Sequence, residues 1–161
     1  MYNLVFWDWI PTVLVHKYYC ATEAEFTAYK TFGEWDKENP GVKNTLRRSH
    51  EPFKVKSYDD IQIYWLTQRF YKEIHREDGI MHVRTKEEKF YDAYNGELIA
   101  HYKNYYKGNG GNVISLGGSL NDIRLSLIFG WANRQCDING DSPEDAFKKY
   151  IYQFWKWGKG K

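Results

Sequence analysis

The stretch Phe70-Tyr71-Lys72-Glu73-Ile74-His75-Arg76-Glu77-Asp78-Gly79-Ile80-Met81-His82-Val83-Arg84-Thr85 decides the fold class. Two strand-favouring runs meet at Asp78-Gly79. Asp-Gly is among the strongest short hairpin signals, because a type I′ turn needs positive φ at both central residues. As a two-residue loop it sets Ile74 against Val83, Glu73 against Arg84, and His75 against His82. An apolar pair and an opposite-charge pair each add roughly 0.2–1 kcal/mol to such a hairpin. Asn95-Gly96 repeats the signal and sets Phe90 against His101 and Tyr91 against Ala100. Strands over Thr67–Glu77, Ile80–Thr85, Lys89–Tyr94 and Glu97–Asn104 then make an antiparallel meander.

Working toward the N-terminus, residues 57–66 fit either a capped helix after Ser57 or a strand carrying Ile61, Ile63, Tyr64 and Trp65. Residues 34–56, with Asn39-Pro40-Gly41 and Glu51-Pro52, read as irregular loop. Thr22-Glu23-Ala24-Glu25 has the form of a capping box, and Phe26, Tyr29 and Phe32 follow at helical spacing up to Gly33, a left-handed stop. A short helix is expected over about 23–32. Leu4–Trp9 and Thr12–Tyr19, rich in Val, Tyr and Trp and broken by Pro11, read as strands.

Toward the C-terminus two helices are expected. Ser119 opens one whose Leu120, Ile123, Leu127 and Trp131 share a stripe. Ser142-Pro143-Glu144-Asp145 opens the other, with Phe147, Tyr150, Ile151 and Phe154 facing the core and Lys148, Lys149 and Lys156 outward. The expected fold is therefore α+β: an antiparallel β-meander of about five strands packed on two C-terminal helices, with one short N-terminal helix. At 161 residues the size prior is a single domain over 1–161. Such a length buries enough surface to need no disulfide or metal staple.

Composition narrows the function classes. A net charge of +2 is too small to demand a nucleic-acid partner. Cys20 and Cys136 stand in no metal-ligand spacing and read as two free thiols of a reducing compartment, and the N-terminus lacks signal-peptide features, so a cytoplasmic protein is expected. No stretch approaches the roughly 20 apolar residues that cross a bilayer. Asp137-Ile138-Asn139-Gly140-Asp141 opens like a calcium loop, but Lys148 stands where the closing acid belongs. Val113–Ser119 offers two glycines before a helix start, without a P-loop or dinucleotide fingerprint. No nucleophile motif is present, and no catalytic residue, cofactor or metal is assigned.

Aromatics make up 19% of the chain, many beside charges. A sheet face with Tyr71, Glu73, His75, His82, Arg84, Tyr91 and Tyr102 outward would form a docking platform, opposite a core face of Phe70, Ile74, Met81, Val83, Phe90 and Ile99. Trp155, Lys156 and Trp157 extend the aromatic-basic surface. The expected function is non-enzymatic binding of a protein partner, in the manner of a small host-interaction or inhibitor protein of a mobile element. A single-stranded nucleic-acid binder using Lys43, Arg47, Arg48, Lys54 and Lys56 is the alternative. An enzyme using His75 and His82, or the Gly117-Gly118 turn, is the third.

Overall fold

The computed structural model describes residues 9–47, 56–58, 61–80, 83–107, 134–137 and 142–157, with only the backbone of Trp9, 56–58, Arg134 and Trp157. The elements are α1 (Trp9–Thr22), β1 (Glu25–Ala28), α2 (Phe32–Glu38), a 3-10 turn (Val42–Asn44), β2 (Lys56–Tyr58), β3 (Ile61–Trp65), β4 (Phe70–Asp78), β5 (Val83–Asp92), β6 (Glu97–Lys107), β7 (Arg134–Gln135) and α3 (Pro143–Trp157). The protein is α+β. Strands β2 to β6 form a five-strand antiparallel meander, and β1 and β7 both add to the free edge of β6. The expected helix at 120–131 and the Val113–Ser119 turn lie outside the described residues, as do 138–141 of the Asp137–Asp141 loop.

The hairpin at Asp78-Gly79 exists, but its register differs from expectation. Asp78 pairs with Arg84, so Glu73 faces Lys89, Ile74 faces Glu88 and His75 faces Glu87. Gly79 is not in the left-handed region. Its N–H donates to the Val83 carbonyl at 2.9 Å, and a Cβ would stand 2.7 Å from that oxygen. Glycine is required here for close approach rather than for positive φ. The core explains the register. Phe70 and Phe90 must share a face for Phe154 of α3 to pack on both, with ring centroids 5.2 Å apart in each case. β5 is moreover one strand where two, 80–85 and 89–94, were expected, and along it a two-residue loop would put Phe90 on the face opposite Phe70, because one-residue parity decides the side.

The second turn keeps Gly96 at φ 70°, closing a loop over 93–96 with Asp92 opposite Glu97. A bulge between Phe90 and Tyr91 then places Phe90 against Ala100 and Tyr91 against Leu98, not the His101 and Ala100 pairings expected.

One face of the sheet carries even-numbered residues and is covered by α3 and α2. Phe70, Phe90, Ala100 and Tyr102 pack there with Trp35, Leu46, Phe147, Tyr150 and Phe154. Helix α3 has the expected stripe, with Lys148, Lys149 and Lys156 exposed. Ser142 caps it, its Oγ accepting from the Asp145 amide at 3.1 Å. Val83 of the expected single core lies on the opposite face, in a second cluster with Tyr105 and Cys136 under Val15, Tyr19 and Cys20 of α1.

Three N-terminal readings are corrected. Residues 9–22 are helix, not strand: Pro11 falls in the first turn, where its missing N–H costs nothing, and Val15, His16, Tyr19 and Cys20 make one helical seam. The segment expected as a helix over 23–32 is largely β1, with Phe26 turned to Phe147 and Tyr150. The real capping box is Thr31 with Glu34, nine residues later, and it starts α2 at Phe32, so that the helix runs into the supposed loop 34–56. Finally, Cys20 and Cys136 are joined in a disulfide, their Cα atoms 5.3 Å apart, instead of standing as free thiols.

Candidate functional site

On the odd-numbered face the strand pairing builds a grid. One row runs Trp65, Tyr71, Tyr91, Leu98 across β3 to β6. The next is Ile63, Glu73, Lys89, His101 and Thr27; the third is Ile61, His75, Glu87, Lys103 and Glu25. The sequence-predicted Tyr71, Glu73, His75 and Tyr91 are therefore neighbours. Tyr71 and Tyr91 are directly opposed and stacked at 5.2 Å, 16° apart, and Trp65 tilts onto Tyr71 at 5.2 Å. At strand spacings of about 4.8 Å, the aromatic row is about 14 Å wide with Leu98 at its end.

All three rings are half-buried. Burial raises the phenol pKa of Tyr71 and Tyr91, and the Glu73 carboxylate adds to it, so both hydroxyls stay protonated as donors at neutral pH. Beside them Glu87 accepts from His101 at 2.9 Å and pairs with Lys89 at 3.1 Å. Burial would raise the Glu87 pKa, but Lys89 and His101 outweigh it and hold the group ionised. Among the described residues, helix α1 covers only the far end of this face, where Tyr19 stacks on Tyr105 at 4.7 Å.

The other expected docking residues lie elsewhere. Tyr102 is fully buried on the even face beneath α3, donating to Glu88 at 3.2 Å. Arg84, also even-facing, sits at the hairpin end on Asp78 at 2.7 Å, away from Glu73. Trp155 and Lys156 are on α3, across the sheet from the aromatic row; the Trp157 side chain and His82 lie outside the described residues. Of the basic run, Lys43 is tied to Asp36 at 2.6 Å and Arg47 is exposed. Arg48 and Lys54 lie outside the described residues, and Lys56 is described by its backbone alone.

A cleft of about 750 Å³ opens between the β4–β5 hairpin end and the start of α3, lined by Arg76, Asp78, Arg84, Lys86, Tyr106 and Glu144 among others. Its charges answer one another. Lys86 reaches Glu144 at 3.2 Å and Glu88 at 2.8 Å, Lys148 reaches Glu144 at 2.9 Å, and the Tyr106 hydroxyl also donates to Glu144. Burial pushes the Glu144 pKa up, but Tyr106, Lys148 and Lys86 together bring it down to about 2. This self-satisfied network anchors α3 to the sheet.

No family model, no characterised protein and no solved structure matches this chain. Among the described residues no helix is long and apolar enough to cross a membrane. Two features escaped sequence reading. Trp65 joins the row through the Ile61, Ile63, Trp65 alternation, which was visible. The cluster of His16, Cys20 and Cys136 was not, because it needs α1 to be a helix.

Proposed function

We propose that this chain is a non-enzymatic binding protein, an inhibitor or host-interaction type of molecule, that meets a protein partner with the odd-numbered face of β3, β4 and β5. The observation that carries this reading is the contiguous row Trp65, Tyr71 and Tyr91, partly exposed on the sheet and bordered by charges of both signs. Large aromatics with few rotatable bonds supply most interface energy, and a polar border supplies register. The chemistry favours protein over nucleic acid. Tyr71 and Tyr91 stack on one another, so they offer edges and hydroxyls more than open ring faces for bases. Glu73 and Glu87 on the same face would repel phosphate.

The test compares Tyr71→Ala/Tyr91→Ala with Tyr152→Ala, an exposed change on α3, as baits in extracts of the source cells. A partner on the aromatic row binds the double variant at least about thirtyfold more weakly, some 2 kcal/mol, and binds Tyr152→Ala normally. Retention survives nuclease treatment and moderate salt. Recovery of nucleic acid with steep salt dependence would contradict the reading.

A further inference from the structure

His16 and Cys20 stand one helical turn apart on α1, so both side chains project toward the same point of the sheet. That point is where β7 delivers Cys136 beside Tyr105 of β6. The imidazole nitrogens lie 3.6 and 3.7 Å from the Cys20 sulfur, and the three ligand atoms of His16, Cys20 and Cys136 all lie within 4.8 Å of one another. A fourth donor is present. The Tyr105 carbonyl oxygen is 3.1 Å from His16 Nε2 and 3.6 Å from the Cys136 sulfur. His16 and Cys136 are buried.

These separations have a chemical meaning. A tetrahedral zinc ion with Zn–S of about 2.3 Å and Zn–N of about 2.0–2.1 Å has N···S edges of about 3.6 Å and an S···S edge of about 3.8 Å. The His16–Cys20 N···S and Tyr105–Cys136 O···S spacings already match such edges; the N···O spacing of 3.1 Å is a few tenths of an ångström short of the about 3.4 Å of a tetrahedron, and the covalent S–S bond is far too short. We propose that the dithiol form of this cluster is a zinc site, with His16, Cys20 and Cys136 as ligands and the Tyr105 carbonyl oxygen at the fourth corner. Disulfide and zinc are then alternative fastenings of α1 to the sheet, selected by redox poise.

The chemistry balances. A phosphine reductant attacks one sulfur, breaks the S–S bond and is oxidised to phosphine oxide by one water, leaving two protein thiols. In a cell, a dithiol would donate the same two electrons and become a disulfide. Zinc then binds the two thiolates, and two protons pass to solvent. Soft thiolate with imidazole is a donor set that suits zinc.

The experiment uses the full chain, reduced anaerobically with a phosphine that offers no competing thiolate, and titrated with Co(II) and then Zn(II). The expected result is one Co(II) per chain with intense visible bands of a tetrahedral thiolate site, bleached by one equivalent of Zn(II). The oxidised chain gives no such spectrum. His16→Ala weakens Zn(II) binding by more than the about 10–100-fold that changes outside the ligand set cost. Far-UV circular dichroism follows each sample. If reduction alone loosens the fold, Zn(II) restores it in the native sequence and not in His16→Ala. A reduced chain that binds no Co(II), an octahedral spectrum, equal binding by the oxidised chain, or unchanged affinity in His16→Ala would each overturn the proposal.

Discussion

Replacing Asp92 by alanine removes the acceptor around which one end of the even-face core is organised. Asp92 is fully buried and accepts from Trp35 Nε1 at 2.8 Å, Arg69 Nε at 2.8 and 2.9 Å, and the Tyr94 amide at 2.9 Å. Arg69 Nη2 adds an ion pair at 2.7 Å and also reaches Asn39 Oδ1 at 2.7 Å. Alanine would leave the Arg69 charge, whose side chain is only 13% exposed, without its carboxylate. Breaking a buried pair from one side costs about 3–5 kcal/mol, a large part of the about 5–15 kcal/mol that holds a domain folded. Burial pushes the Asp92 pKa up, but Arg69, Trp35 and the Tyr94 amide more than offset it, so the folded-state value lies below the ordinary one. A depressed carboxylate pKa stabilises the fold fully above the unfolded value of about 3.9, and that stability is lost as pH falls through the folded value. Urea unfolding followed by tryptophan fluorescence should therefore show a deficit of about 3–5 kcal/mol at pH 7 that shrinks below pH 4. Asp92→Leu with Arg69→Met removes both charges and should recover much of it. A loss under about 1 kcal/mol for Asp92→Ala at pH 7, the size of an ordinary surface effect, would refute the reasoning.

The remaining predictions concern other parts of the molecule. Glu144, with its pKa near 2 from burial outweighed by Tyr106, Lys148 and Lys86, should contribute roughly 3 kcal/mol at neutral pH, present above about pH 4.5 and lost toward pH 2. Acid titrations of stability in Glu144→Gln should accordingly be flatter over that range. Gly33→Ala and Gly96→Ala should have opposite signs in thermal unfolding. Gly33 lies in α2 with open space around it, so alanine should gain about 0.5–1 kcal/mol; Gly96 sits at φ 70°, where alanine should lose about 1–2 kcal/mol. Breaking the Cys20–Cys136 bond, which spans 116 residues, should lower stability by about 2–5 kcal/mol in metal-free solution, measured by urea unfolding with and without reductant.

How much of this was legible follows from what each signal depends on. Alternation within one strand needs no partner, so Tyr71, Glu73 and His75 were correctly placed together, and α3 announced itself by its stripe and its Ser142 cap. Register statements that crossed a turn failed, although Tyr91 does share the face of Tyr71 as expected. The face of Arg84 depends on whether the hairpin loop has five residues or two, and that is settled by Phe154 packing across Phe70 and Phe90, a contact 64 and more residues distant in sequence. Tyr102 failed with the second turn: the expected pairing put it on the face of Tyr91, but the bulge at Phe90 and Tyr91 sets it against Glu88 on the even face, beneath α3. At the N-terminus two capping-box sequences competed, Thr22 with Glu25 and Thr31 with Glu34, and pairing of Phe26 opposite Tyr102 made the first a strand. Helix α1, rich in β-branched and aromatic residues, is held by its contacts with Tyr105 and Cys136 against its own propensity. The disulfide was invisible because it joins that helix to a segment far along the chain.

The central claim is that the odd-numbered face of β3, β4 and β5 is where this protein meets a protein partner. Site-specific photocrosslinking tests it most directly, with p-benzoylphenylalanine at position 73, beside Tyr71 and Tyr91, or at position 152 on α3. Glu73 lies next to the aromatic row and not in it, so the probe leaves Trp65, Tyr71 and Tyr91 intact. Irradiation in source-cell extract should give a discrete protein adduct from position 73, suppressed by adding unlabelled native chain, and none from position 152. Adducts from 152 alone, or nucleic acid attached at 73, would contradict the account.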